Sequence, residues 1–169
     1  FMSWVTSGKK VHLVTGSDIS KTREQLGEDL MRSCLGVFTC SGNVFRQEGQ
    51  IVYSNVFSPS EEFISDLELY LDNSQWLSKK GNHIEKRPGM INFSTVGRNA
   101  NKNMREAYER WDKRTLERED IVAYIGETYP ELEVSIGGSI SVDIYPKGKN
   151  KGQVVEKLRE LHGDDVEMI

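Results

Sequence analysis

The run Glu133-Val134-Ser135-Ile136-Gly137-Gly138-Ser139-Ile140-Ser141-Val142-Asp143-Ile144-Tyr145 carries the clearest β signal in the chain. Ile140, Val142 and Ile144 alternate with Ser139, Ser141, Asp143 and Tyr145, so one face is apolar and the other polar. Strands of an antiparallel sheet with one open face read this way; strands buried in a parallel sheet read as continuous apolar runs. Upstream segments extend the same sheet. Residues 83–86 and 90–95 are divided by Arg87-Pro88-Gly89, and a Pro-Gly pair suits the centre of a tight turn, which predicts a hairpin. Met104, Ala107, Tyr108 and Trp111 then recur at helical spacing. A second helix, over about 116–128, carries Leu116, Ile121, Tyr124 and Ile125 and stops at Tyr129-Pro130. An earlier helix is predicted from Ser58-Pro59-Ser60-Glu61, with Ser58 as the cap, Pro59 first in the helix and Glu61 closing a capping box. Ile64, Leu67 and Leu71 form its apolar stripe.

The N-terminal part follows a different grammar. Val11-His12-Leu13-Val14 reads as a short buried strand that runs into Thr15-Gly16-Ser17-Asp18. A helix follows, with Leu26, Leu30 and Met31 on its buried side, and Gly36-Val37-Phe38-Thr39 reads as a second strand. Strand, small-residue turn, helix and strand make a βαβ unit with parallel strands. Gly49-Gln50 closes a hairpin between Val44-Phe45-Arg46 and Ile51-Val52-Tyr53. The fold class is therefore α/β, with an antiparallel sheet and helices on one of its faces inserted after a parallel unit.

A chain of 169 residues holds one ordinary domain or two small ones. Its 37% hydrophobic and 28% charged residues are ordinary for a soluble globular protein. No apolar run approaches the ~18 residues of a membrane span, so no membrane partner is expected. The first residues, Phe1-Met2-Ser3-Trp4, lack the basic start and apolar stretch of a signal peptide. Cys34 and Cys40 read as reduced thiols of a cytoplasmic protein. A net charge of -4 argues against a nucleic-acid partner. Residues 98–118 nevertheless hold seven basic and four acidic residues, a net of +3, which suits a small anion or a solvated helix face.

Ser141 and Asp143 lie two apart and share the polar face, where a hydroxyl beside a carboxylate can bind sugar hydroxyls or simply be solvated. Arg87, Arg98 and Arg105 surround the same segments. Guanidinium forks hold phosphate oxygens bidentately, and a glycine before Arg98 lets the backbone approach a ligand closely. The same spacing also allows surface arginines paired with Glu85, Glu106 and Glu109. Thr15 to Asp18 lies where ligands bind in parallel sheets, beyond the carboxyl end of a strand; its amides and hydroxyls at a helix start suit a phosphate. Lys151, in a loop returning to the parallel part, can neutralise a phosphoryl group or be solvated. His12, His83 and His162 show no metal spacing, and there is no Cys/His zinc pattern, Walker loop or nucleophile elbow.

Taken in order, several runs resemble the eukaryotic-type phosphomannomutases of the haloacid-dehalogenase superfamily. They are Val14-Thr15-Gly16-Ser17-Asp18, Glu24-Gln25-Leu26-Gly27, Glu85-Lys86-Arg87-Pro88-Gly89-Met90-Ile91-Asn92-Phe93-Ser94 with Val96-Gly97-Arg98, Arg105, and Ser135-Ile136-Gly137-Gly138-Ser139-Ile140-Ser141-Val142-Asp143. The resemblance covers about Lys10 to Lys151. It implies a partial Rossmann-like core over 1–50, an inserted α+β cap over 51–147 and a return to the core over 148–169. It further implies phosphate binding by Arg87, Arg98 and Arg105 and sugar binding by Ser141 and Asp143, with Asn92 a weaker member. Thr15 or Ser17 would supply the core's phosphoryl-binding hydroxyl, and Lys151 its lysine. The implied reaction interconverts mannose 6-phosphate and mannose 1-phosphate through an aspartyl-phosphate, with Mg2+ and a second aspartate as acid and base. The hexose phosphate is the expected partner, and a homodimer through the cap is a family expectation.

The family's Asp-x-Asp-x-Thr nucleophile run does not occur in this sequence. The resemblance places Phe1 inside the helix after the nucleophile strand, and Val166-Glu167-Met168-Ile169 at the start of a later strand. Gly163-Asp164 is then expected to be a loop that mimics the metal-binding Gly-Asp run. The chain thus reads as shortened at both ends, with no metal ligands of its own and no turnover alone. A sugar-phosphate phosphatase of the same superfamily and a non-catalytic sugar-phosphate-binding module are the alternatives.

Overall fold

The computed structural model describes residues 7–165 and 167. Phe1 and the strand expected to begin at Val166 lie outside the described residues. The chain forms two compact units, one made of Phe1–Val56 with Gly148–Ile169, the other of Phe57–Lys147.

In the first unit β1 (His12–Val14) leads through α1 (Ile19–Leu26) and α2 (Glu28–Ser33) to β2 (Gly36–Thr39). β1 and β2 pair in parallel, with Leu13 opposite Val37. Asp18 caps α1, its side chain accepting the Lys21 backbone N–H at 2.8 Å. The expected single helix is two: Gly27, at φ +79, separates them. That break changes which side chains are covered. Met31 is buried as expected, but Leu26 is 39% exposed.

β3 (Val44–Gln47) and β4 (Gln50–Ser54) complete the sheet in the order β1-β2-β3-β4. Glu48 and Gly49 both adopt positive φ, the geometry that suits a two-residue hairpin turn. The expected boundary at residue 50/51 thus meets the start of β4, whose pairing with β3 holds it in the first unit. α6 (Gln153–His162) lays Val154 and Leu158 on Phe38 and Phe45, whose rings stack at 4.2 Å.

The second unit opens with α3 (Glu61–Asn73). Its cap is Ser60, whose hydroxyl accepts the Phe63 N–H at 3.1 Å, and not Ser58. Two serines flank Pro59, and the later one starts the helix. β5 (Ile84–Arg87) and β6 (Met90–Phe93) form the predicted hairpin, with Gly89 at φ +68. Arg87 is the last paired strand residue, opposite Met90, so Pro88-Gly89 alone makes the turn. α4 (Lys102–Thr115) and α5 (Glu117–Thr128) follow. The long alternating run is a second hairpin, β7 (Leu132–Gly137) and β8 (Ser141–Pro146). Gly138, at φ +58, begins the turn between them, so Ser139 and Ile140 are turn residues despite their alternation.

The sheet order is β5-β6-β8-β7, antiparallel throughout. Its apolar face carries Ile91, Phe93, Val142 and Ile144, which pack with Phe63 and Leu67 of α3 and Ile121 and Ile125 of α5. Each such side chain contributes roughly 1.5–3 kcal/mol on burial, which fixes the register and points the alternate residues the other way.

Candidate functional site

The second face of that sheet is built by cross-strand pairing. Glu85 lies opposite Asn92, Asn92 opposite Asp143, and Asp143 opposite Ser135, a polar row across four strands. Arg87, two residues beyond Glu85, shares its face. Asn92 and Ser141 are buried and Asp143 partly so, where the sequence suggested an open surface.

Asn92 donates its Nδ2 hydrogen to Asp143 Oδ1 at 2.6 Å. Its own Oδ1 is buried and has no hydrogen-bond partner among the described residues. A buried acceptor left unpaired is costly, and a hydroxyl donor arriving there would relieve it. Ser141 donates its Oγ hydrogen to the Gly137 carbonyl at 2.6 Å, so its remaining capacity is as an acceptor. A Cβ at Gly137 would fall 2.9–3.0 Å from the Asp143 carboxylate. That glycine keeps the space in which Asp143 sits. The sequence carries a signal for this, since glycine inside a strand often marks a close approach.

The arginines meet at Glu85. Arg87 Nε donates to Glu85 Oε2 at 3.1 Å and Arg87 Nη2 donates to the same oxygen. Arg98 Nε lies 3.2 Å from it. Arg105 is tied instead to the backbone, through Nε to Ala100 O at 2.8 Å and Nη2 to Arg98 O at 2.7 Å. Burial pushes the Arg98 guanidinium below its ordinary value, and Arg87 and Arg105 push the same way; Glu85 and Asp143 pull it back. Arg87 and Arg105 are therefore both near enough to act on Arg98.

Gly97, at φ +86, serves a purpose different from the expected approach to a ligand. A Cβ there would lie 2.1 Å from the Lys80 carbonyl oxygen. Lys80 N donates to Val96 O at 2.9 Å and Arg98 N to Asn82 O at 2.8 Å, so two loops are clamped together beneath Arg98.

In the first unit, Thr15 to Asp18 joins the carboxyl end of β1 to α1. Thr15 Oγ1 accepts the Ser17 N–H at 3.1 Å. The turn is bound to the end of β2, with Cys40 N donating to Ser17 O and Ser41 N to Thr15 O. Cys40 and Ser41 are buried at positive φ, strain of the kind that concentrates at functional sites. Gln153 Nε2 donates to Ser41 O and to Lys149 O, which brings the 148–152 loop to the same strand end. Lys151, in that loop, is exposed, and its carbonyl accepts the Val154 N–H at 3.1 Å. Among the described residues no three His, Cys, Asp or Glu side chains gather. Gly163 ends α6 at φ +75, and Asp164 follows it in an exposed loop.

Residues 1–169 match the family model of the eukaryotic phosphomannomutases. The chain is 32% identical to phosphomannomutase of Triticum aestivum over 96% of its own length and 70% of that protein. It is also 32% identical to phosphomannomutase of Galdieria sulphuraria, over 88% of its length and 62% of that relative's. Its fold is shared with a solved subclass IIB sugar phosphatase of the HAD superfamily: TM-score 0.53 at 12% identity, covering 96% of this chain and 66% of that one. The arginine set around Glu85 thus stands in a chain matched end to end by one family, and the chain belongs to the eukaryotic phosphomannomutases.

Proposed function

We propose that this chain supplies the hexose-phosphate-binding part of an enzyme that interconverts mannose 6-phosphate and mannose 1-phosphate. The observation that carries the reading is the convergence of Arg87 and Arg98 on one Glu85 oxygen, beside the Asn92–Asp143 pair on the same sheet face. Arg87, Arg98 and Arg105 take the phosphate oxygens, because guanidinium donors match them in charge and geometry. Asp143 and Ser141 accept sugar hydroxyls, and Asn92 Oδ1 accepts a third.

Phosphoryl transfer depends on positioning and on neutralising the transferred oxygens. Here a Thr15 or Ser17 hydroxyl and the Lys151 ammonium would serve the reacting phosphoryl group. The proposed reaction would run through an aspartyl-phosphate, with Mg2+ neutralising charge and a second aspartate moving the proton; none of these roles is assigned to a residue of this chain. This chain holds no Asp-x-Asp-x-Thr run, so no turnover is expected from it alone. Among the described residues no helix is long and apolar enough to cross a membrane. A cytoplasmic location and a homodimer through the cap are part of the proposal.

Calorimetric titration of mannose 6-phosphate, with mannose as the phosphate-free control, tests the reading. The expected result is saturable binding of the ester, undetectable binding of mannose, and a large loss with Arg98→Ala. An Arg98→Ala protein of unchanged affinity would overturn the arginine assignment.

A further inference from the structure

We propose that Glu85 is a positioning residue: one of its carboxylate oxygens presets Arg87 and Arg98 as a single anion-binding unit. The inference rests on the hexose-phosphate reading and assigns a role to a residue that would not itself touch the ligand.

Glu85 and Arg87 sit two apart on β5 and so project from the same face. Arg98 arrives from the far side of the hairpin, on the clamped loops beneath it. Oε2 of Glu85 accepts from Nε and Nη2 of Arg87 and lies 3.2 Å from Nε of Arg98. Both guanidiniums are thereby held by their inner edges. The third arginine follows from the second, because Arg105 donates to the Arg98 carbonyl.

Two guanidiniums this close repel each other, and burial strengthens the repulsion. Their side chains are only 7% and 23% exposed. Without Glu85 they would be driven apart or out towards water, and the geometry for bidentate contact would be lost. Charge makes a second point. Three guanidiniums against the carboxylates of Glu85 and Asp143 leave a formal +1, a surplus that an anionic phosphate monoester would cancel.

The test uses the chain as it stands. Mannose 6-phosphate and inorganic phosphate are titrated into the native protein, Glu85→Gln, Glu85→Asp and Glu127→Gln, the last an exposed α5 control. Arginine Nε–Hε resonances and melting temperatures are recorded for each. Glu85→Gln is expected to weaken mannose 6-phosphate binding about tenfold, and to move and broaden the Arg87 and Arg98 resonances together. Glu85→Asp should fall between, and Glu127→Gln should match the native protein. Glu85→Gln binding within twofold of native, or unmoved arginine resonances, overturns the role of Glu85 alone. A native chain that binds neither ligand overturns the hexose-phosphate reading, and the resonances then decide whether Glu85 presets the arginines.

Discussion

Two arginine settings in the Phe57–Lys147 unit look alike in sequence and differ in kind. Arg118 and Asp112 form a buried pair, with Nε donating to Oδ2 at 2.7 Å and side chains 9% and 7% exposed. Asp112 Oδ1 also accepts the Arg118 backbone N–H, and Arg118 Nη1 donates to Gly138 O. One cation meets one carboxylate, and the pair ties the α4–α5 elbow to the β7–β8 turn. At Glu85 one carboxylate oxygen serves two cations, with a third hung from the backbone. The comparison teaches that stoichiometry separates a strut from a receptor. A pair whose charges cancel holds structure; a surplus of buried charge is there for something else to cancel.

Asp112→Ala should therefore hit stability hardest. It strands a buried guanidinium and should cost about 3–5 kcal/mol in urea unfolding. Arg98→Ala should do the opposite, changing unfolding by less than ~1 kcal/mol while weakening mannose 6-phosphate binding by about a hundredfold. If the two variants lose stability and affinity alike, the distinction collapses. Gly137→Ala sharpens it at the sugar end. Its Cβ crowds the Asp143 carboxylate, and an affinity loss of about fivefold is expected for mannose 6-phosphate and none for inorganic phosphate.

The smallest effect lies in the first unit. Burial, and secondly the nearby His162, lower His12 from 6.5 to about 4. The folded form disfavours the charged imidazole, so this contribution to stability is complete above pH 6.5. It should be lost as pH falls towards 4, by about 1 kcal/mol after solvent screening. His12→Gln should remove that part of the pH dependence of the melting temperature.

Much of the fold could be read from local rules. Alternation marked Val142 and Ile144 as the buried face of β8, and Pro88-Gly89 marked the hairpin. The failures arose where local signals are degenerate. Ser139 and Ile140 continue the alternation, yet Gly138 turns the chain before them. Ser58 and Ser60 are both plausible caps, and only the second accepts the Phe63 N–H. Gly49 marked the hairpin that joins β4 to β3, yet a boundary at residue 50/51 falls inside that paired unit. At the candidate site the arginines could be named, but their manner of support could not. Glu85 acts across a hairpin and a loop on Arg98, thirteen residues later in number, and nothing in linear spacing singles it out over Glu106 or Glu109.

Gly97 gives that support a genetic face. Any side chain at this position collides with the Lys80 carbonyl and shifts the backbone that carries Arg98. A screen scored only on ligand capture would rank Gly97 beside the arginines, although it offers no donor and no charge. Its lesions would resist repair by any second change in the ligand-binding residues, and would yield only to changes that move the loop around Lys80.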